Sequence, residues 1–226
     1  CSKNKYRNTK MINKVKEGSN MYQFCTHTFN IIKGKCPHDC SYCYMKSFPQ
    51  KEIHFDEKEL KTDLGNGNII FVGSSCDMFA ESIPSCWIIV ILDYCKLFNN
   101  TYIYQTKNPK RFLEFIDYFP KDTILGTTIE TSRLGYEYNA PSVIERQYWI
   151  GQVDKPKFIT LEPIMDFDLS ILVNWIDDIK PDFVNIGADS KGHNLPEPSK
   201  EKIEELIKEL QKITKINLKD NLKRLR

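Results

Sequence analysis

Net charge is the first thing this sequence has little of. Among 226 residues, 32 lysines and arginines face 30 aspartates and glutamates, leaving +2. So close a balance does not define a strongly basic nucleic-acid binder. Long apolar runs are missing as well. The longest, Trp87 to Leu92, falls far short of the roughly 18 residues of a membrane span. The start Cys1-Ser2-Lys3-Asn4-Lys5 is polar and basic with no apolar stretch behind it. No secretory signal is therefore expected, and a chain opening without Met reads as trimmed. Internal repeats, low-complexity tracts and linkers are also missing. With 41% apolar and 27% charged residues, the composition is that of an ordinary globular protein. The expectation is a soluble, cytoplasmic, single domain over residues 1–226, with a core over about 22–213 and basic, peripheral ends.

Cysteine is absent from everything beyond Cys95, and what precedes it is unevenly spread. The eight cysteines fall at 1, 25, 36, 40, 43, 76, 86 and 95. A disulfide framework spreads its bridges over a small secreted fold. Here three crowd into Gly34-Lys35-Cys36-Pro37-His38-Asp39-Cys40-Ser41-Tyr42-Cys43-Tyr44. The spacing is C-x3-C-x2-C, with an aromatic before the third cysteine. Thiolates so placed can hold three corners of a cubane and leave the fourth iron open to a small chelating molecule. A structural zinc site wants four ligands. The nearest candidate, His38, lies between two of the cysteines, where its reach to a shared metal is strained.

Periodicity gives alternating strands and helices. Strands are predicted at Cys25–Ile32, Asn68–Gly73, Thr101–Thr106, Thr123–Thr128, Phe158–Leu161 and Phe183–Ile186. Pro84, Pro109 and Pro141 open helices over Ser85–Phe98, Lys110–Tyr118 and Ser142–Trp149, since a missing N–H costs nothing in a first turn. Asp168 and Ser199 are placed to cap the last two helices, Leu169–Ile179 and the one carrying Ile203, Leu206, Ile207, Leu210 and Ile213. Six strand–helix units imply an α/β fold with parallel pairing and right-handed crossovers. Their number fits a three-quarter β/α barrel, with a doubly wound open sheet as the alternative.

The cysteine loop and its place after the first strand resemble the radical SAM superfamily. That resemblance implies a partial six-stranded barrel and a 4Fe–4S cluster held by Cys36, Cys40 and Cys43. It implies S-adenosylmethionine chelated to the free iron, with Tyr42 near the adenine. One electron from an external flavodoxin- or ferredoxin-type reductant would cleave the cofactor to a 5′-deoxyadenosyl radical, which abstracts a hydrogen atom from the substrate. The expected activity is of lyase or transferase type. Without cysteines after 95, the auxiliary-cluster extension of peptide-maturing members is not expected.

Residues at the C-terminal ends of barrel strands are where such folds place their chemistry. The superfamily's Gly-Gly-Glu after the second strand is replaced by Gly73-Ser74-Ser75-Cys76-Asp77, so contact to the methionine amino group falls to Ser74, Ser75 or Asp77. Further on come Gln105-Thr106-Lys107-Asn108-Pro109, Thr128-Ile129-Glu130 and Leu161-Glu162-Pro163. This series is similar to the spore photoproduct lyase group and a phage-associated relative. By that likeness Ser75 and Lys107 hold the carboxylate or amino end of the cofactor, and Thr128 or Glu130 its ribose. Glu162 is read as a cofactor-side carboxylate on the rim.

Local alternatives stand beside these assignments. Lys107 suits a solvated turn, Glu130 a pair with Arg133, and Asp189 with His193 an exposed loop. Cys76 is either a small buried apolar group or a thiol able to donate a hydrogen atom to a substrate radical. Cys25, Cys86 and Cys95 read as core. Basic ends and Tyr136, Tyr138, Tyr148 and Trp149 suit a stacked nucleic-acid base. The competing classes are a non-enzymatic iron–sulfur electron carrier or redox sensor and a zinc-binding module.

Overall fold

The computed structural model describes residues 10–16, 18, 21–135 and 139–226; Tyr136 and Tyr138 lie outside them. In chain order the strands are β1 (Lys10–Met11), β2 (Asn13–Lys14), β3 (His27–Phe29), β4 (Ile32–Lys33), β5 (His54–Phe55), β6 (Thr62–Asp63) and β7 (Ile69–Val72). They continue as β8 (Thr101–Thr106), β9 (Thr123–Thr128), β10 (Lys157–Leu161), β11 (Phe183–Ile186) and β12 (Lys215–Leu218). The helices are α1 (Ser85–Cys95), α2 (Lys110–Glu114), α3 (Val143–Gly151), α4 (Leu169–Ile179) and α5 (Lys200–Leu210).

The main sheet runs β12-β11-β10-β9-β8-β7-β3-β2, parallel throughout except for the antiparallel edge strand β2. Neighbours in the sheet follow one another along the chain, as in a β/α barrel. A doubly wound sheet would reverse its order at a switch point. All six predicted strands are present, and α1 to α5 bridge the successive pairs from β7 to β12. The first crossover carries no α-helix; short 3-10 turns at Tyr44–Ser47 and Glu57–Lys61 and the β4–β5 pair replace it.

Three expectations need correction. Residues 214–226 are not peripheral: β12 adds a seventh parallel strand beside β11, and Leu222 is buried behind it. The core therefore extends beyond 213. Asp168 starts α4 without capping it by its side chain; its Oδ1 instead accepts from Arg133 at 3.2 Å. Cys86 is exposed on the first turn of α1, whereas Cys25 and Cys95 are core. Ser199 caps its helix as expected, and α3 starts one residue later than expected, with Ser142 as its cap through a reciprocal box with Glu145.

Alternation along the strands sorts side chains onto two faces. Tyr102 and Tyr104 of β8, Leu125 of β9, and Ile159 and Leu161 of β10 pack into the main core with the helix residues Ile88, Ile91 and Leu172. Ile103 and Phe158 point the other way and join Tyr22, Phe71, Ile124 and Phe183 in a second apolar cluster. One or two steps further along the same face come Gln105, Thr128, Thr160 and Asn185. The inner face thus changes from an apolar floor to a polar layer toward the strand ends.

Gly126 makes that floor possible. A Cβ built there would lie 2.3 Å from ring carbons of Phe158, and both atoms belong to rigid structure. Gly126→Ala is expected to lower stability by about 1–3 kcal/mol through overpacking. Thermal unfolding checks this, and an unchanged midpoint would remove the steric role of Phe158.

Candidate functional site

The polar layer opens into a cavity of about 620 Å³, a common size for a small-molecule site. Its wall includes Cys36, Cys40, Tyr42 and Cys43 from the loop after β3. Ser74, Ser75, Cys76 and Asp77 come from the end of β7, Lys107 from β8, Thr128 from β9 and Glu162 from β10. Of the residues assigned to the cluster and the cofactor in the sequence, Glu130 alone does not line the wall; it lies directly behind it.

Tight turns bring the three cysteines together. Asp39 N–H donates to Cys36 O at 3.2 Å, Cys43 N–H to Cys40 O at 3.1 Å, and Lys46 N–H to Cys43 O at 3.0 Å. Asp39 takes a positive φ of 47°, which an Asp tolerates better than most residues. His38 anchors the loop from behind. Its backbone O accepts from Asn139 N–H at 3.1 Å, and its Nε2 lies 2.9 Å from Asp77 Oδ2. Burial disfavours the charged ring of His38, but the facing Asp77 carboxylate outweighs that and raises its pKa.

Asp77 is a hub of the wall. Its Oδ2 accepts from Thr106 Oγ1 at 2.9 Å and Lys107 N–H at 2.8 Å, and its Oδ1 from Phe79 N–H at 3.0 Å. The neighbouring Ser74–Ser75 turn is held by Asn30: its Oδ1 accepts from Ser75 N–H at 3.1 Å and its Nδ2 donates to Ser74 Oγ at 3.1 Å. Asn30 was not singled out in the sequence; its signal is a side-chain amide immediately after a strand.

Lys107 and Glu130 are not the surface groups that local alternatives allowed. Lys107 Nζ lies 5.3 Å from the Tyr42 ring centroid and 3.8 Å from Glu130 Oε1. Burial works against its charge, while Cys40 and Glu130 favour it; the net pKa is raised. Glu130 is fully buried. It accepts from Tyr42 Oη and, at 2.9 Å, from Arg146 Nη1. Burial alone would raise its pKa, but Arg146 and then Lys107 more than offset that. Arg133 pairs instead with Asp166 and Asp168.

The far wall is built from the last strands. Glu162 Oε2 accepts from Lys219 Nζ at 2.8 Å and its Oε1 from Asn221 Nδ2 at 3.0 Å. Gly187 lets it approach, because a Cβ there would sit 2.8 Å from the Glu162 carboxylate. Beneath, Tyr22 Oη bonds Gln105 Oε1 at 2.6 Å and Thr160 Oγ1 at 2.9 Å, and Gln105 Nε2 donates to Thr128 Oγ1 at 2.8 Å. Burial raises the Tyr22 pKa strongly. Asp189 also lines the cavity and accepts from His193 Nδ1 at 2.6 Å, so that loop is built rather than merely exposed. Tyr148 and Trp149 lie on α3 outside the cavity lining, with Lys110 over the Trp149 ring; Tyr44, Phe48 and Phe71 line it instead.

The donor set suits a polynuclear group. Among the described residues no three His, Cys, Asp or Glu side chains converge as ligands of one metal ion. Cubane ligands need no such convergence, because each thiolate binds a different iron. Cys36, Cys40 and Cys43 share one wall, and Cys40 feels the charge of both others. The interaction of Cys36 with buried Cys76 lowers the pKa of Cys36 and raises that of Cys76.

Sequential parallel strands with a three-cysteine loop at their C-terminal rim define a partial β/α barrel. Among solved structures it has the fold of spore photoproduct lyase. A mutant of that enzyme with dinucleoside spore photoproduct aligns at TM-score 0.61 and 11% identity, over 90% of this chain and 67% of the other. A double mutant with bound AdoMet and the dinucleoside aligns at 0.56 and 12%, over 92% and 69%. The lyase complexed with the dinucleoside aligns at 0.60 and 12%, over 92% and 69%. No family model matches the chain, and no curated protein matches it in sequence. Among the described residues no helix is long and apolar enough to cross a membrane.

Proposed function

We propose that this chain, read as one domain, is a radical S-adenosylmethionine enzyme. The observation that carries the proposal is the common wall shared by Cys36, Cys40 and Cys43 with Tyr42, Ser74, Ser75, Lys107 and Thr128. Cys36, Cys40 and Cys43 would hold a 4Fe–4S cluster. Ser74, Ser75, Asp77 and Lys107 would take the amino and carboxylate end of S-adenosylmethionine, Tyr42 its adenine, and Thr128 its ribose; Glu130, fully buried behind the wall with both oxygens engaged, would support Tyr42 and Lys107 rather than touch the cofactor. When bound, the pair supplies one-electron cleavage of the sulfonium and hydrogen-atom abstraction, driven by an external flavodoxin- or ferredoxin-type reductant.

The chain's own residues supply position and polarity. Lys107 would supply a cation to the cofactor carboxylate, and the Tyr22–Gln105–Thr128 chain orients the Thr128 hydroxyl. Glu162, paired with Lys219, would present its carboxylate on the cofactor side of the rim. Cys76, buried against Cys36, is placed to bond a ligand sulfur; as hydrogen donor to a substrate radical it would need an opening on the substrate side.

The substrate proposed is a nucleic-acid base. Support comes from the dinucleoside bound by the lyase relatives and from the exposed Lys14, Lys16 and Lys191 at the mouth, beside Tyr44 and Phe48. The test is anaerobic reconstitution with iron and sulfide, followed by S-adenosylmethionine, dithionite and chromatography. About four irons and four sulfides per chain, with 5′-deoxyadenosine formed, are expected. A loaded cluster that binds no S-adenosylmethionine would replace the proposal with an electron carrier, and one zinc per chain would replace it with a zinc module.

A further inference from the structure

Arg146 is the largest of the fully buried side chains, and nothing in the cavity wall calls for it. It sits on α3 at 2% exposure, behind the ends of β9. Its Nη1 makes two bonds, to the backbone O of Thr128 at 2.7 Å and to Glu130 Oε2 at 2.9 Å. Its Nε has no hydrogen-bond partner among the described residues. A buried guanidinium left partly unsatisfied is expensive. Its retention points to what the other end of the side chain holds.

What it holds is one corner of the site. Glu130 turns its second oxygen forward to Tyr42 Oη and lies 3.8 Å from Lys107 Nζ, while that same ammonium sits over the Tyr42 ring. Arg146, Glu130, Tyr42 and Lys107 thus form a chain leading from the helix layer to the cavity. The Thr128 carbonyl is tied to the same guanidinium, so one side chain fixes the strand end that presents the Thr128 hydroxyl. Residues from β8, β9 and the cysteine loop are held in mutual register by a group that never reaches the cavity.

We infer that Arg146 is a positioning residue: through Glu130 and the Thr128 carbonyl it sets the places of Tyr42, Lys107 and Thr128 for binding of S-adenosylmethionine. The inference rests on the proposed function of the site. Its physical basis is the asymmetry of buried ion pairs. Removing Arg146 alone strands the Glu130 carboxylate, whereas removing both members of the pair leaves only the Lys107 ammonium at the cavity wall, where Cys40 still favours its charge. Stability and site geometry can therefore be separated by experiment.

The experiment measures S-adenosylmethionine affinity by equilibrium dialysis on anaerobically reconstituted protein, together with the thermal midpoint of each variant. Arg146→Met is expected to lose affinity by about 10-fold or more and to unfold at lower temperature. Arg146→Met combined with Glu130→Gln should regain most of the midpoint but not the affinity. Arg146→Lys should recover part of both. Restored affinity in the double variant, or wild-type affinity in a destabilised Arg146→Met, would overturn the inference and leave Arg146 a structural residue. Should Arg146→Met not fold, Arg146→Lys and the double variant carry the same comparison. Wild-type protein that loads a cluster but does not bind the cofactor would overturn the proposed function itself, and is read before any variant.

Discussion

Replacing Cys40 by alanine is expected to lower iron retained after reconstitution and to reduce 5′-deoxyadenosine formation by at least about 100-fold, since losing a ligand outweighs losing a partner of one. Cys40 is the middle member of the loop and lies at 7% exposure. Among the described residues its thiol makes no backbone hydrogen bond, and the turn is closed through Cys40 O and Cys43 N–H. The substitution therefore removes a donor without dismantling the turn. Far-ultraviolet circular dichroism should match wild type. Cys86→Ala, on the exposed first turn of α1, is the matched control and should behave as wild type. Undiminished iron and product in Cys40→Ala would show that the loop does not hold the cluster.

Deleting residues 215–226 is expected to cost at least about 3 kcal/mol, with Leu222 burial alone contributing roughly 1.5–3. For a chain of this length that lowers the thermal midpoint by about 6–12 °C. Several losses add. β12 pairs with β11 through four residues, Lys215 to Leu218, and its removal exposes the β11 edge. Asn221 binds Ala188 through both backbone groups, and Arg224 holds Asp189 O. Glu162 loses Lys219 and Asn221 together. The cysteine loop, anchored by Asp77, Glu130 and Asn139, keeps its own contacts. A truncated chain with an unchanged midpoint would return these residues to the periphery.

Much of the frame is legible in the residues. The parallel strands at Thr101–Thr106, Thr123–Thr128 and Phe183–Ile186 match the observed bounds, because β-branched and aromatic runs are bounded there by turn residues. Pro84, Pro109, Pro141 and Ser199 mark helix starts to within a residue or two through purely local chemistry: a missing donor or a hydroxyl acceptor within three residues. The cysteine loop is local too, and its spacing alone assigns three thiols to one turn.

What the residues do not state is which distant partner each charge finds. Glu130 had Arg133 three positions away, yet pairs with Arg146 on a helix packed behind its strand. Only packing α3 against β9 brings the two together. Glu162 is completed by Lys219 and Asn221 from a segment that reads as a charged tail; Lys215-Ile216-Asn217-Leu218 is too short and polar to announce a strand. It becomes one because the β11 edge offers backbone partners. Tyr22, in a loop before the first strand, enters the lumen because an apolar floor of Phe71, Phe158 and Phe183 receives its ring while Gln105 and Thr160 receive its hydroxyl. Local chemistry determined the elements and the cysteine turn. Long-range burial decided the partners, since the cost of an unpaired buried charge is settled only when the layers close.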